Sequence, residues 1–167
     1  MSLSMFQASV PVFIRMSHNL AAMLEKAAAH CDAKKIDPAA LINFRLYPDM
    51  FTFARQVQAA TEHAKNGMAR LSGVEAPVFE NVERTFPELV ERVRKTIAYL
   101  GGLKPEQVDG SEAREIVIKR GETTTTHTGQ DFLLNRALPN FYFHVVMAYA
   151  ILRHNGVEVG KRDYLGR

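Results

Sequence analysis

Tryptophan is missing from this sequence and cysteine nearly so: Cys31 is the only thiol in 167 residues. A single cysteine excludes an internal disulfide and a zinc site built from several thiolates. Long apolar runs are missing too. The longest, near 141–152, is interrupted by His144, so no membrane partner is expected. Met1–Met5 carry no basic stretch ahead of an apolar one, so no signal peptide is expected and a cytoplasmic location follows. An excess of one charge sign is lacking as well: 21 basic residues stand against 18 acidic ones, a net charge of +3. Nucleic-acid binders concentrate more positive charge than this on one face, so no nucleic-acid partner is expected; only the basic tail at 157–167 speaks for one. There is no HExxH, no His-x3-His pair, no GxSxG and no glycine-rich phosphate loop leading into a helix.

What remains is an ordinary globular composition, 47% hydrophobic and 23% charged, and a length that suits one domain over 1–167. The apolar spacing predicts four long helices. Steps of three and four from Met5 to Ala27 give the first, over 4–33, with Pro11 either kinking it or forcing a start capped by Ser9. Asp37-Pro38 opens a short helix to Asn43. The second long helix is read from Pro48 to Leu71, stopped by Ser72-Gly73. The third runs over 86–100, opened by the capping box Thr85-Phe86-Pro87-Glu88. Ile116–Lys119, the turn Arg120-Gly121-Glu122 and Thr123–Thr126 predict a hairpin, its threonines an exposed ribbon. Gly129–Arg136 is short helix or irregular, and the last long helix spans 140–154. The fold class is therefore all-α, four long helices with a small β-hairpin before the last.

Six histidines are the candidate chemistry: His18, His30, His63, His127, His144 and His154. His144 and His154 share a helix but lie ten residues apart, about 15 Å of rise and about 80° off one face, so both cannot hold one metal. His144 sits mid-helix among apolar neighbours, where an imidazole is either a hydrogen-bonded core residue or a ligand or acid/base in a cavity. His63, beside Glu62 and Lys65, reads as part of a solvated face. His18, His30 and His127 read as surface residues. Cys31 lies near a helix C-terminus, which raises a thiol pKa and argues against a reactive thiolate. Arg45, Asp49, Arg153, Arg162 and Asp163 stand near helix ends, as salt bridges or as an anion-binding rim.

Several runs carry a family resemblance: Ser4–Met16 (SMFQASVPVFIRM), Arg45–Met50 (RLYPDM), Gln56-Val57, Phe86–Leu89 (FPEL), Thr96–Leu100 (TIAYL), Pro139–His144 (PNFYFH), Ala148–Val157 (AYAILRHNGV) and Gly160–Gly166 (GKRDYLG). Over nearly its whole length the chain resembles an uncharacterised domain-of-unknown-function subfamily of the DinB/YfiT-like metalloenzyme superfamily. The resemblance implies a four-helix bundle, often a homodimer. Many members hold a divalent metal with three histidines, one early in the second helix and two as His-x3-His on the fourth. Some are thiol-dependent transferases or hydrolases. Matched by position, His144 takes the first place of the fourth-helix pair, Ala148 the second and Gln56 the second-helix place, while His63 falls two turns late. A catalytic zinc needs three protein donors, so no metal or other cofactor is expected. The resemblance thus implies a small-ligand-binding or dimeric protein with a degenerate metal site, its pocket candidates Gln56, His144, Ala148 and Arg153. The alternative is a zinc- or nickel-dependent transferase or hydrolase with an altered ligand set, His144, Gln56 and His63. No catalytic residue is assigned.

Overall fold

The computed structural model describes residues 3–166, and the tail residue Arg167 lies outside them. It is mostly helical with one small hairpin. Helix α1 (Met5–Lys34) starts at Ser4, not Ser9. The Ser4 side chain accepts from the Gln7 N–H and Gln7 answers on the Ser4 N–H, a reciprocal cap at the start of the 4–33 segment, and the alternative start at Ser9 is not used. Ser9 is instead fully buried and turns its Oγ onto the Met5 carbonyl at 2.6 Å. The helix continues through Pro11, whose ring faces solvent. The short α2 (Pro38–Ile42) has Asp37 as its cap.

Helix α3 (Phe53–Ser72) begins later than Pro48. Thr52 is its cap, accepting from the Arg55 N–H, and the Pro48 segment forms a turn closed by the Met50 N–H on the Tyr47 carbonyl. The threonine cap outcompetes the proline start because Tyr47, before Pro48, is pushed out of the helical region. Helix α4 (Phe86–Gly101) carries the expected Thr85–Glu88 box. A short α5 (Pro105–Val108) leads to strands β1 (Glu115–Arg120) and β2 (Thr123–Thr128), paired antiparallel with Ile116 opposite His127 and Ile118 opposite Thr125. Gly121, at φ 59°, makes the two-residue turn. Helix α6 (Gly129–Phe132), a π turn (Leu133–Ala137) and α7 (Leu138–His154) then follow without a break, and α8 (Lys161–Leu165) closes the chain.

The long helices pair α1 with α4 and α3 with α7, with α3 also against α4. Their inner faces share one core: Phe13 meets Phe141 edge-on at 4.9 Å, and Phe53 meets Phe86 at 5.9 Å. Small residues at Ala60 and Ala64, both fully buried, let α3 sit close to its neighbours. Cys31 is buried, and burial, with Asp32 and Asp37 beside it, pushes its thiol up. The tail helix α8 folds back on α1 through the Asn19 side chain on the Tyr164 carbonyl and Lys26 on Asp163. Tyr149 is thereby half-buried against Tyr164.

Candidate functional site

The sequence places one face of α3, residues 55, 59, 62, 63, 66 and 70, on the i, i+4, i+7 spacing that lines a groove. That face floors a cleft of about 530 Å³. Its walls are the start of α7, the π turn and the hairpin, which contribute His144, Phe143, Arg136 and Ile118. The volume lies in the range of metabolite pockets.

His144, 8% exposed, is the inner end of the cleft. Its Nδ1 lies 2.7 Å from Gln56 Oε1. An amide oxygen only accepts, so Nδ1 carries the proton and Nε2 holds the lone pair. Two rings lie nearly parallel to this imidazole: Phe51 at 6.0 Å and 12°, and His63 at 5.2 Å and 15°. Phe143 meets it edge-on at 5.3 Å. Burial, then the charges of His63 and Arg55, push His144 down to about 4. Burial lowers His63 too, with Arg55, Arg70 and Arg136 adding to it against Glu62. Both rings are therefore neutral at pH 7.

His63 is thus not on a solvated face: it is half-buried and stacked on His144. Ala148 is fully buried in the core, and Arg153 is exposed in the last turn of α7; neither lines the cleft. The helix-end charges do not gather into a rim. Asp163 pairs with Lys26 at 2.7 Å and Arg45 donates to the Met50 carbonyl. His127 is half-buried, its Nδ1 2.6 Å from Asp131.

The donor set does not fit the superfamily's metal. Position 148 has no donor atom, Gln56 is turned onto His144, and the His63 and His144 rings are stacked, so their in-plane lone pairs do not converge as a tetrahedral ion requires. Among the described residues no group of three or more His, Cys, Asp or Glu side chains is placed to hold an ion.

The cleft also contains residues that the spacing arguments overlooked: Arg55, Arg70, Lys119, Arg120 and Arg136. Their convergence depends on the hairpin and π turn folding over α3, which no local pattern announces. Glu62 is the carboxylate among them. It receives two hydrogen bonds from Arg55, at 3.2 and 3.1 Å, and one at 3.4 Å from Arg92. Arg92 is itself 1% exposed and also holds Glu83 at 2.9 Å, the Glu80 carbonyl and Thr61. This network clamps the 76–84 loop to the back of the cleft.

A solved structure with this arrangement of elements exists: a DinB family member protein from Shewanella denitrificans, 41% identical, superposes with a TM-score of 0.87 over 97% of this chain and 92% of that one. Residues 5–165 match a family described as "Domain of unknown function (DUF1993)". The chain belongs to that family, and its fold is DinB-like. No curated protein matches it.

Proposed function

We propose that this DinB-like protein binds a small molecule in the cleft between α3, α7 and the hairpin, and that its metal site is degenerate. The whole chain, 1–167, then acts as one four-helix-bundle domain. One observation carries the reading: His144, at the inner end of a metabolite-sized cleft, spends Nδ1 on Gln56 while the next turn of α7 offers only Ala148. What is left facing the cleft is a neutral acceptor nitrogen flanked by Phe51, Phe143 and His63, a surface suited to recognition by stacking and hydrogen bonding.

The competing reading, a divalent-metal-dependent transferase or hydrolase centred on His144, draws its support from that same Nε2 lone pair. Of its ligand set, Gln56 is turned onto His144 and the His63 ring is stacked on the His144 ring, so the three donors do not converge on one point. A homodimer is part of the proposal: α7 leaves Phe143 and Val146, one turn apart, 52% and 36% exposed on an otherwise apolar helix.

The test of the ligand site is a screen of small molecules read on the ring protons of His63 and His144. Binding in the cleft moves both sets of resonances, and His144→Phe weakens it. A screen in which compounds bind but leave both rings unmoved refutes the site.

A further inference from the structure

The charges of the cleft do not balance. Four cations, Arg70, Lys119, Arg120 and Arg136, line it and form no salt bridge among the described residues, although the charge of Arg136 is felt by Asp131 outside the cleft. Glu62 is already neutralised by Arg55 and Arg92, and against the cost of burial their hydrogen bonds and charges hold its carboxyl below the ordinary range. Arg70, Lys119 and Arg120 are exposed at the mouth of the cleft and Arg136 is half-buried, so the like charges repel through a partly screened medium.

Two of the cations are brought together by backbone packing. Gly67 of α3 lies so close to the π turn that a Cβ there would sit 3.3 Å from the Ala137 Cβ. Arg136 precedes Ala137, and Arg70 follows Gly67 by one helical turn. Both guanidinium charges reach the His63 ring and lower its pKa. Arg70 spends one N–H on the Asn66 carbonyl at 3.2 Å. Arg136 makes no side-chain hydrogen bond among the described residues, although it is half-buried. A guanidinium offers five donors in a planar fork that matches a carboxylate or phosphate edge.

The cleft has a second end of different character. α7 runs antiparallel to α3, since Ala137 meets Gly67 while His144 meets Gln56. Along α7 the seven residues from Arg136 to Phe143 separate the two ends by about two turns, or roughly 10 Å, with the His63 ring between them, stacked on His144. One end offers positive charge, the other rings and a neutral acceptor.

Resting on the reading of this cleft as a ligand site, we propose that its ligand is a small organic oxyanion carrying two or more negative charges, a phosphate ester or a polycarboxylate. The charged group sits against Arg70 and Arg136, with Lys119 and Arg120 of the hairpin closing over it. The remainder of the molecule lies toward Phe143 and His144, where Nε2 accepts a hydrogen bond from it.

The probes are inorganic phosphate and citrate, titrated into the full chain at constant ionic strength with sodium chloride as the reference. Unfolding temperature and calorimetry are read together. Phosphate or citrate is expected to raise the unfolding temperature above the chloride reference, and which of them binds more tightly separates the phosphate-ester source from the polycarboxylate one. Arg136→Gln and Arg70→Gln should each weaken binding about tenfold or more, from the loss of charge-assisted hydrogen bonds. Lys95→Gln, an exposed position of α4 away from the cleft, should leave it unchanged. Arg120→Gln, on the exposed hairpin, gives a second reading of the same loss if a π-turn variant does not fold. Equal unfolding temperatures in all three salts, or unchanged affinity in the arginine variants, overturns the proposal. If neither anion binds while an uncharged compound moves the His63 and His144 rings, the anion assignment fails and the ligand site stands. If nothing moves those rings, both fail.

Discussion

His144 donates from Nδ1 to Gln56 Oε1 across 2.7 Å, tying the middle of α7 to the first turn of α3. Both partners are buried, at 8% and 2% exposure. The bond fixes which imidazole nitrogen carries the proton, and it occupies the side chain that takes the place of a metal-binding histidine in the resembling superfamily. Gln56→Ala should therefore cost about 1–3 kcal/mol, because the buried imidazole N–H loses its partner. Urea unfolding measures this. In Gln56→Ala with His144→Phe the two losses should fall short of additive, since each removes the same bond.

Acid should weaken the protein before its carboxylates titrate. His144 is pushed down to about 4 in the fold by burial first, and His63 is lowered with it, while an unfolded histidine titrates near 6.5. Between these values the unfolded chain binds more protons than the folded one, so stability falls as pH drops from about 6.5 toward 4. Denaturation curves at pH 7.5 and pH 5 should show lower stability at pH 5, with a smaller difference in His144→Gln. Equal stability at the two values would contradict the buried, neutral assignment.

Arg92 should be among the most sensitive positions. Its side chain is 1% exposed and binds Glu83, Glu62, Thr61 and the Glu80 carbonyl. Arg92→Met keeps much of the volume but leaves Glu83 without its cation, while Glu62 keeps Arg55, a loss of about 3 kcal/mol. Adding Glu83→Gln should recover part of it, as read from the urea midpoint.

Gly129 is set against the Ser111 backbone, and a Cβ there would collide with the Ser111 carbonyl oxygen. Backbone does not yield as a flexible side chain does. Gly129→Ala should therefore destabilise by about 1–3 kcal/mol. Gly101→Ala, where a Cβ meets nothing within 4 Å, should stay within about 0.5 kcal/mol of the parent. Thermal unfolding of the two variants makes the comparison.

Much of the fold was legible because its signals are local. The threonine–glutamate box at α4, the Asp37-Pro38 cap and the β-branched runs around Gly121 each fix their element through neighbours a few residues away. The boundary that moved, at the start of α3, did so where two local signals competed, Pro48 against Thr52. The site was legible only in part. His144 stood out by its place mid-helix among apolar neighbours and Gln56 by the resemblance, and their contact is what the amide and the imidazole satisfy in each other. His63 was misjudged because its polar sequence neighbours, Glu62 and Lys65, are themselves drawn inward, Glu62 by Arg55 and Arg92, and Lys65 to a position over the Phe79 ring. The arginines of the cleft come from α3, the π turn and the hairpin, and no spacing along the chain reveals that these meet.

Restoring the missing donors should create what the parent lacks. Ala148→His places an imidazole one turn after His144, and Gln56→His supplies a third beside it. Ala148 is fully buried, so the larger side chain costs stability in the apo protein. Zinc should then raise the unfolding temperature of the double variant and leave that of the parent unchanged. A variant that folds with no response to zinc would show that the two positions do not face one point.

The most direct measurement is the metal content of the parent protein, purified without a histidine tag and analysed for zinc and nickel. The two neutral imidazoles, His144 and His63, are stacked so that their lone pairs do not converge, and such a pair holds a divalent ion weakly, since tight sites need several protein donors acting together. The account predicts far less than one metal ion per chain, unchanged in His144→Ala. About one zinc or nickel per chain, lost in His144→Ala, would contradict it and establish His144 as a metal ligand.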